Sequence, residues 1–296
     1  MSQAPLISVN ECQMFLDYVA NKRQGKQLTF LPVSLWEIPK INPIISSIVG
    51  DDNPEIRKRV FIKGAYKDKP KKYSEFKPDI ALRCLEYYGF EGCTVVDPFM
   101  GRATRGVVSA LLNQDYIGYD VSPVTVEWAN NNGFQTVNDF LGEPRAIGII
   151  GDGCELDFTP DNSVDLIFTC PPYWNLEIYE NAPDELSHCK TYGEFLDKIL
   201  ECSANCFRIL KPLGFCVFVV GDWKSNGIFY HFSVDLISIF EKNGFYTHDI
   251  AINKVYSWLS SQLTRGQNIR YRYLGKMHEY IVVFRKQSKA FKFSKG

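Results

Sequence analysis

The sequence predicts an α/β fold: a doubly wound, mostly parallel seven-stranded sheet with a small insertion near residues 254–277. Three observations predict it. Short apolar runs rich in β-branched residues alternate with helical patterns, the signature of strand-helix-strand units. Three successive runs end on an acidic residue, at Asp97, Asp120 and Asp152. A fourth run, Val164 to Phe168, leads straight into Thr169-Cys170-Pro171-Pro172-Tyr173-Trp174, where two prolines must end the ladder because neither can donate a backbone N–H.

Composition sets the outer bounds. The chain has 296 residues, 45% hydrophobic and 23% charged, enough for one large α/β core. No apolar run approaches the length of a membrane span, and the first residues lack the basic start and apolar core of a signal peptide. Nine cysteines without C-x-x-C spacing argue against zinc and a disulfide framework, and for buried thiols in a reducing compartment. The net charge of −1 gives no bulk sign of a nucleic-acid partner, so such binding must come from local patches.

The elements follow in order. Residues 1–72 read as an extension: an opening helix through Val9–Val19 with Asn10 at its N-cap, then an irregular stretch ending in a basic run that includes Lys58 and Arg59. Pro78 to Tyr88 has helical spacing after a first-turn proline, with Gly89 as its stop. Thr94–Val96 is a buried strand, followed by a glycine-bearing turn (97–106), a helix over Val107–Leu112 and a second strand ending at Asp120. A helix over Pro123–Asn131 and a third strand, 146–150, complete the first half of the sheet. Beyond the fourth strand, residues 175–190 read as a loop over the site, and Phe195–Leu210 as an amphipathic helix closed by Lys211-Pro212-Leu213-Gly214. Strand Phe215–Val220, helix Val234–Lys242, strand Phe245–Asn253 and a last strand, His278–Lys286, end the core, with a polar tail over 287–296.

The chemistry concentrates at strand ends. Open α/β sheets bind ligands at the carboxyl ends of their strands. Gly101 lets the first turn approach a ligand, and Asp120, about 20 residues beyond, is placed to accept from ribose hydroxyls. Asp152 can accept from an adenine amino group; as half of an Asp-Gly pair it also suits a plain turn. There is no G-x-G-x-x-G and no P-loop. A carboxylate, Asp97, stands where a phosphate would need N–H groups, so a cofactor with a cationic end is expected to face it, directly or through water. After the fourth strand, the stiff turn exposes carbonyls that can accept from an amine, and Tyr173 can stack on a flat ring. Residues 262–273 interleave Arg265, Arg270 and Arg272 with tyrosines and amides, types that contact bases and phosphates.

With these stretches in hand, the sequence resembles the DNA amino-methyltransferases that use S-adenosyl-L-methionine, in a small solitary or phage-like form. DPFMGRAT (97–104) is similar to that family's first motif, TCPPYW (169–174) to its catalytic motif [DNS]-P-P-[YFW], HEYIVVFRK (278–286) to its closing strand, and KPDIALRCLEYYG (77–89) to the helix over the methionine end of the cofactor. The resemblance covers roughly residues 73–286, and the two core motifs stand about 70 residues apart. It implies a Rossmann-like catalytic domain with a target-recognition insertion near 254–277. It implies cofactor contacts from Lys77, Pro78, Asp97, Pro98, Phe99, Gly101, Thr104, Asp120, Ser122 and Asp152, and catalysis by Thr169, Cys170, Pro171, Pro172 and Tyr173. It further implies double-stranded DNA as partner through Arg265, Arg270, Arg272, Lys58 and Arg59, no metal, no membrane, a monomer or homodimer, and a cytoplasmic setting in a prokaryotic or phage-infected cell.

Two departures qualify it. Ala103 replaces the motif's second glycine, and Cys170 stands where the family has Asp, Asn or Ser. A thiol is a weak acceptor and nearest in shape to serine, which favours N4 of cytosine. N6 of adenine and RNA or protein substrates stay open. Attack of a thiolate on a pyrimidine ring is the minor reading, because Cys170 precedes its proline.

Overall fold

The computed structural model describes residues 9–23, 34–36, 61–62, 76–174, 177–178, 186–254 and 269–287. Its helices are α1 (Val9–Arg23), α2 (Pro78–Tyr88), α3 (Thr104–Leu111), α4 (Pro123–Trp128), α5 (Gln135–Leu141), α6 (Tyr192–Ile209) and α7 (Phe232–Lys242). Its strands are β1 (Leu35–Trp36), β2 (Phe61–Ile62), β3 (Thr94–Asp97), β4 (Asp115–Asp120), β5 (Ala146–Ile150), β6 (Val164–Thr169), β7 (Glu177–Ile178), β8 (Leu210–Val220), β9 (Trp223–Ser225), β10 (Ile228–Tyr230), β11 (Phe245–Lys254) and β12 (His278–Lys286).

The main sheet runs β1-β11-β12-β8-β6-β3-β4-β5. Its seven long strands are the seven read from the sequence. The two-residue β1, from the N-terminal extension, adds an eighth at the edge, parallel to β11. β12 is antiparallel to both its neighbours, β8 and β11. The remaining pairings, β8 with β6, β6 with β3, β3 with β4 and β4 with β5, are parallel. The chain winds outward from β3 through β4 to β5, then returns to place β6 on the other side of β3. The topological switch point therefore lies between β3 and β6, where such sheets open a ligand crevice.

Each face is covered by helices, as burial on both sides of a parallel sheet requires. Cys12 and Phe15 of α1, Leu85 of α2, Val107 of α3 and Val137 of α5 join one core with Leu166, Phe168, Val217 and Ile281. Ile199 and Cys206 of α6 and Leu236 and Phe240 of α7 join the other with Val96, Ile167, Phe218 and Phe284. Seven of the nine cysteines are buried and none forms a disulfide. Burial pushes the thiols of Cys84, Cys206 and Cys216 above the ordinary range, so they act as small apolar side chains.

Several element ends differ from expectation. Asn10 lies inside α1 rather than at its cap. Gly89 closes α2 in an extended conformation; it must be glycine because a Cβ there would meet Leu85 O at 2.7 Å. The expected helix over Pro123–Asn131 turns into a π-helical turn, Ala129–Phe134, and continues into α5. Lys211 to Gly214 do not close α6. They lie within β8, whose pairing with β6 shifts register between Val164 and Leu166. The end of α6 is instead met by Lys286, whose Nζ donates to Phe207 O at 2.5 Å and Leu210 O at 2.6 Å, a cation at the negative end of the helix.

Candidate active site

The site begins with Asp97, the last residue of β3 and fully buried. Its Oδ1 accepts from Phe99 N at 3.1 Å and from Thr169 Oγ1 at 2.6 Å. Its Oδ2 accepts from Arg105 Nε at 2.5 Å and from Tyr116 Oη at 2.7 Å. A carboxylate offers about four lone-pair sites, so these four donors saturate it. Its charge braces the turn that follows it, from the end of β3. Arg105 completes the arrangement by donating to Phe99 O at 2.6 Å while lying over the Phe76 ring, 4.6 Å from its centre. Burial alone would lower the Arg105 pKa, but Asp97 and Tyr116 outweigh it and hold it above the ordinary arginine value.

The turn held in this way carries Pro98, Phe99, Met100 and Gly101. Gly101 has φ +55, and a Cβ there would meet nothing within 4 Å, so the turn opens onto space. Its N–H donates to Asp120 Oδ2 at 3.1 Å, while Asp120 Oδ1 accepts from Ser122 N at 2.9 Å. Asp120 thus bridges the first turn to the start of α4, where Ser122 is the N-cap, accepting from Thr125 N. Ala103 precedes α3 with φ +67. The missing second glycine is therefore a strained position, more than the loss of a small side chain. Thr104, the first residue of α3, is buried, and its hydroxyl has no hydrogen-bond partner among the described residues.

Asp152 follows β5, and its Oδ1 accepts from Cys154 N at 2.7 Å, closing an Asx turn. Gly153 lies so close to the first turn that a Cβ would fall 1.8 Å from Pro98 O. The turns after β3 and β5 therefore touch through backbone. Lys77 is the N-cap of α2, its carbonyl accepting from Ile80 N and Ala81 N, and Pro78 is the first helical residue.

Across the switch point, β6 ends at Thr169. Its hydroxyl is buried and donates to Asp97, which leaves its oxygen lone pairs as acceptors. Cys170 and Tyr173 are half-buried and Pro171 is buried. Tyr173 packs edge-on against Trp223, with ring centres 5.5 Å apart. Trp174 donates from Nε1 to Cys189 O at 2.8 Å and packs on Tyr192 and Tyr230. Trp223 stacks on Tyr230 at 5.3 Å and 19°. This aromatic wall of Tyr192, Trp223 and Tyr230 was not singled out in the sequence. The one available signal was the density of aromatics after β8, and it does not say that β9 and β10 fold back onto the Pro-Pro-Tyr turn.

Of the expected DNA contacts, Arg270 and Arg272 are exposed on the segment before β12, whereas Lys58, Arg59 and Arg265 lie outside the described residues. Tyr271 and Tyr273 stack at 5.8 Å, and Lys224 Nζ lies 3.6 Å from the Tyr273 ring centre. Most of the expected insertion also lies outside the described residues. Among the described residues, no cluster of three or more His, Cys, Asp or Glu side chains could hold a metal ion, and no helix is long and apolar enough to cross a membrane.

A doubly wound sheet with a glycine turn and strand-end carboxylates defines an open α/β protein with a ligand crevice at its switch point, and the Pro-Pro-Tyr turn follows β6 at the edge of that crevice. Residues 19–131 and 164–295, more than half of the chain, match the N6/N4 DNA methylase family, and the chain belongs to it. Type II methyltransferase M.BglII of Bacillus subtilis is 30% identical over 128 residues, 43% of this chain and 31% of that protein. Type II methyltransferase M.HpaI of Haemophilus parainfluenzae is 31% identical over 134 residues, 45% of this chain and 36% of that protein. The chain thus spans about a third of the length of these curated relatives. Among solved structures, TrmN from Thermus thermophilus aligns at TM-score 0.47 and 15% identity, over 71% of this chain and 49% of that one.

Proposed function

We propose that the protein transfers a methyl group from S-adenosyl-L-methionine to the exocyclic amine of a base in double-stranded DNA, with N4 of cytosine as the favoured target. The observation that carries this reading is the 2.6 Å hydrogen bond from Thr169 to Asp97. It couples the nucleoside-binding turn to the catalytic turn across the switch point, so a cofactor on one meets a base on the other.

The residues fit the cofactor. Asp120 and Asp152 are half-buried acceptors at adjacent strand ends, suited to ribose hydroxyls and an adenine amino group. Gly101 leaves open space above the turn. Pro98, Phe99, Thr104 and Ser122, in the turns and helix starts after β3 and β4, and Lys77 and Pro78, at the start of α2, are assigned to the same cofactor edge. When bound, the cofactor would supply an electrophilic methyl on a sulfonium, the N–C bond forming as the S–C bond breaks to leave a thioether and the amine giving up a proton to solvent.

The chain supplies position. Tyr173, braced edge-on by Trp223, offers a face on which a flipped base stacks. The Pro171 carbonyl accepts from the amine, which orients the nitrogen lone pair toward the methyl. Cys170, half-buried beside it, is a weaker acceptor than Asp or Asn, so more of the acceleration falls to placement. Residues 254–277 act as the target-recognition insertion.

The test is transfer from isotopically labelled S-adenosyl-L-methionine to unmethylated duplex DNA, digested to nucleosides and analysed by mass spectrometry. Label in N4-methylcytosine is the expected outcome. Label in N6-methyladenine would keep the class and overturn the base assignment. No labelled nucleoside, with cofactor still bound, would move the substrate to RNA or protein.

A further inference from the structure

The segment that enters β12 delivers a lysine to the catalytic turn. Lys276 lies two residues before His278, and although the residue is exposed as a whole, its ammonium turns inward. A Cβ built on Gly221, directly after β8, would lie 2.1 Å from Lys276 Nζ and 2.9 Å from its Cε. The same point is 3.3 Å from Tyr173 Oη. Lys276 Nζ itself is 5.5 Å from the centre of the Tyr173 ring. Glycine at 221 thus makes the room in which the ammonium reaches the margin of the stacking face. Burial lowers the Lys276 pKa below the ordinary lysine value, while the charges of Glu279, Asp222 and Cys170 favour the protonated form.

On the reading of the site as a DNA amino-methyltransferase, we propose that Lys276 binds the target base, donating from Nζ to the ring nitrogen that adjoins the reacting amine. An ammonium has three donors and no acceptor. Cytosine and adenine each present an amine beside a ring nitrogen with a lone pair. On its Watson–Crick edge guanine presents its amine beside a ring N–H, the lone-pair nitrogen on the other side lying toward the sugar, and thymine has a ring N–H and no amine. A site in which the Pro171 carbonyl accepts from the amine and Lys276 donates to the neighbouring nitrogen therefore fits the first two bases. It sets donor against donor for the others, which discriminates by a penalty on the wrong base as much as by attraction to the right one. It also fixes the amine at two points, so the weak acceptor at Cys170 need not orient it alone.

The proposal is tested with full-length protein, labelled S-adenosyl-L-methionine and unmethylated duplex DNA. Three variants are compared with the parent: Lys276→Met, Lys276→Arg and Gly221→Ala. The third displaces the flexible end of Lys276 without altering the lysine. Equilibrium binding of S-adenosyl-L-methionine is expected to stay within twofold in all three, which also reports intact folding. Lys276→Met and Gly221→Ala are each expected to lower kcat at saturating DNA by about tenfold or more, the loss typical of one charge-assisted hydrogen bond. The KM for DNA and its salt dependence should be unchanged, and Lys276→Arg should recover part of kcat. Parental kcat in Lys276→Met would overturn the proposal. So would a defect confined to KM with a flatter salt dependence, which would make Lys276 a phosphate contact. A parent protein that labels no DNA nucleoside would overturn the DNA reading itself and this proposal with it, an outcome distinct from unaffected variants of an active parent.

Discussion

Asp97 and Arg105 form an ion pair at 2.5 Å with side chains 0% and 5% exposed, and the site's two turns depend on it. Removing one partner of a buried pair leaves the other charged and without compensation, at a cost of about 3–5 kcal/mol. Arg105→Met is therefore expected to lower stability by about that amount in urea-induced unfolding and, on the proposed function, to weaken cofactor binding through the turn it braces. Combining it with Asp97→Asn, which removes the stranded charge, should restore part of the stability. If the double variant is no more stable than the single, the charge is not what the arginine compensates. Asp97 was legible in the sequence as a strand-end carboxylate, but where it points was not. Its side-chain partners stand 8, 19 and 72 residues away, and only the folded sheet brings them together. Thr169 illustrates the same limit, since its neighbours in sequence suggested catalysis and its neighbour in space is Asp97.

At the scale of elements, the edge strand β5 is protected by asparagines. Asn130 donates to Gly148 O at 3.0 Å and accepts from Gly148 N at 2.8 Å. Asn138 donates to Ala146 O at 2.9 Å and accepts from Ala146 N at 3.0 Å. These side chains complete the backbone pairing that an edge strand leaves open, which otherwise invites strand addition from another chain. Asn130 lies in the π-helical turn, where the widened helix brings it opposite Gly148. Asn138→Ala should cost about 1–3 kcal/mol, from the backbone groups left unpaired, and raise the tendency to aggregate on mild heating, followed by light scattering. Unchanged unfolding and scattering would mean that water replaces the asparagine without penalty. The sequence disclosed the strands and most helices because their apolar periodicity is local. It did not disclose the π-helical turn or the start of β8 at Leu210, which are set by side chains and register on neighbouring elements.

For the whole molecule, the proposed function raises the question of how a chain of net charge −1 would hold a polyanion. The described surface offers an answer beside the aromatic wall. The β9–β10 hairpin presents Lys224 with exposed Ile228 and Phe229, and Lys224 reaches Tyr273 of the segment carrying Arg270 and Arg272. Hairpin and segment so form one basic and aromatic surface next to Tyr173. Cations that touch phosphates release counterions, and each such contact contributes about 0.9 to the slope of log affinity against log salt on duplex DNA. Arg270→Ala with Arg272→Ala is therefore expected to weaken DNA binding and to flatten that slope by about two, measured by fluorescence anisotropy across a salt series. Cofactor affinity should stay unchanged, because neither arginine lies at the carboxyl ends of β3, β4 or β5. Loss of affinity at constant slope would assign the arginines to base edges rather than phosphates, and they would then select the target sequence instead of holding the backbone. An unchanged affinity would move the phosphate contacts to the basic run that includes Lys58 and Arg59. The small net charge would then reflect a basic arm offset by an acidic core.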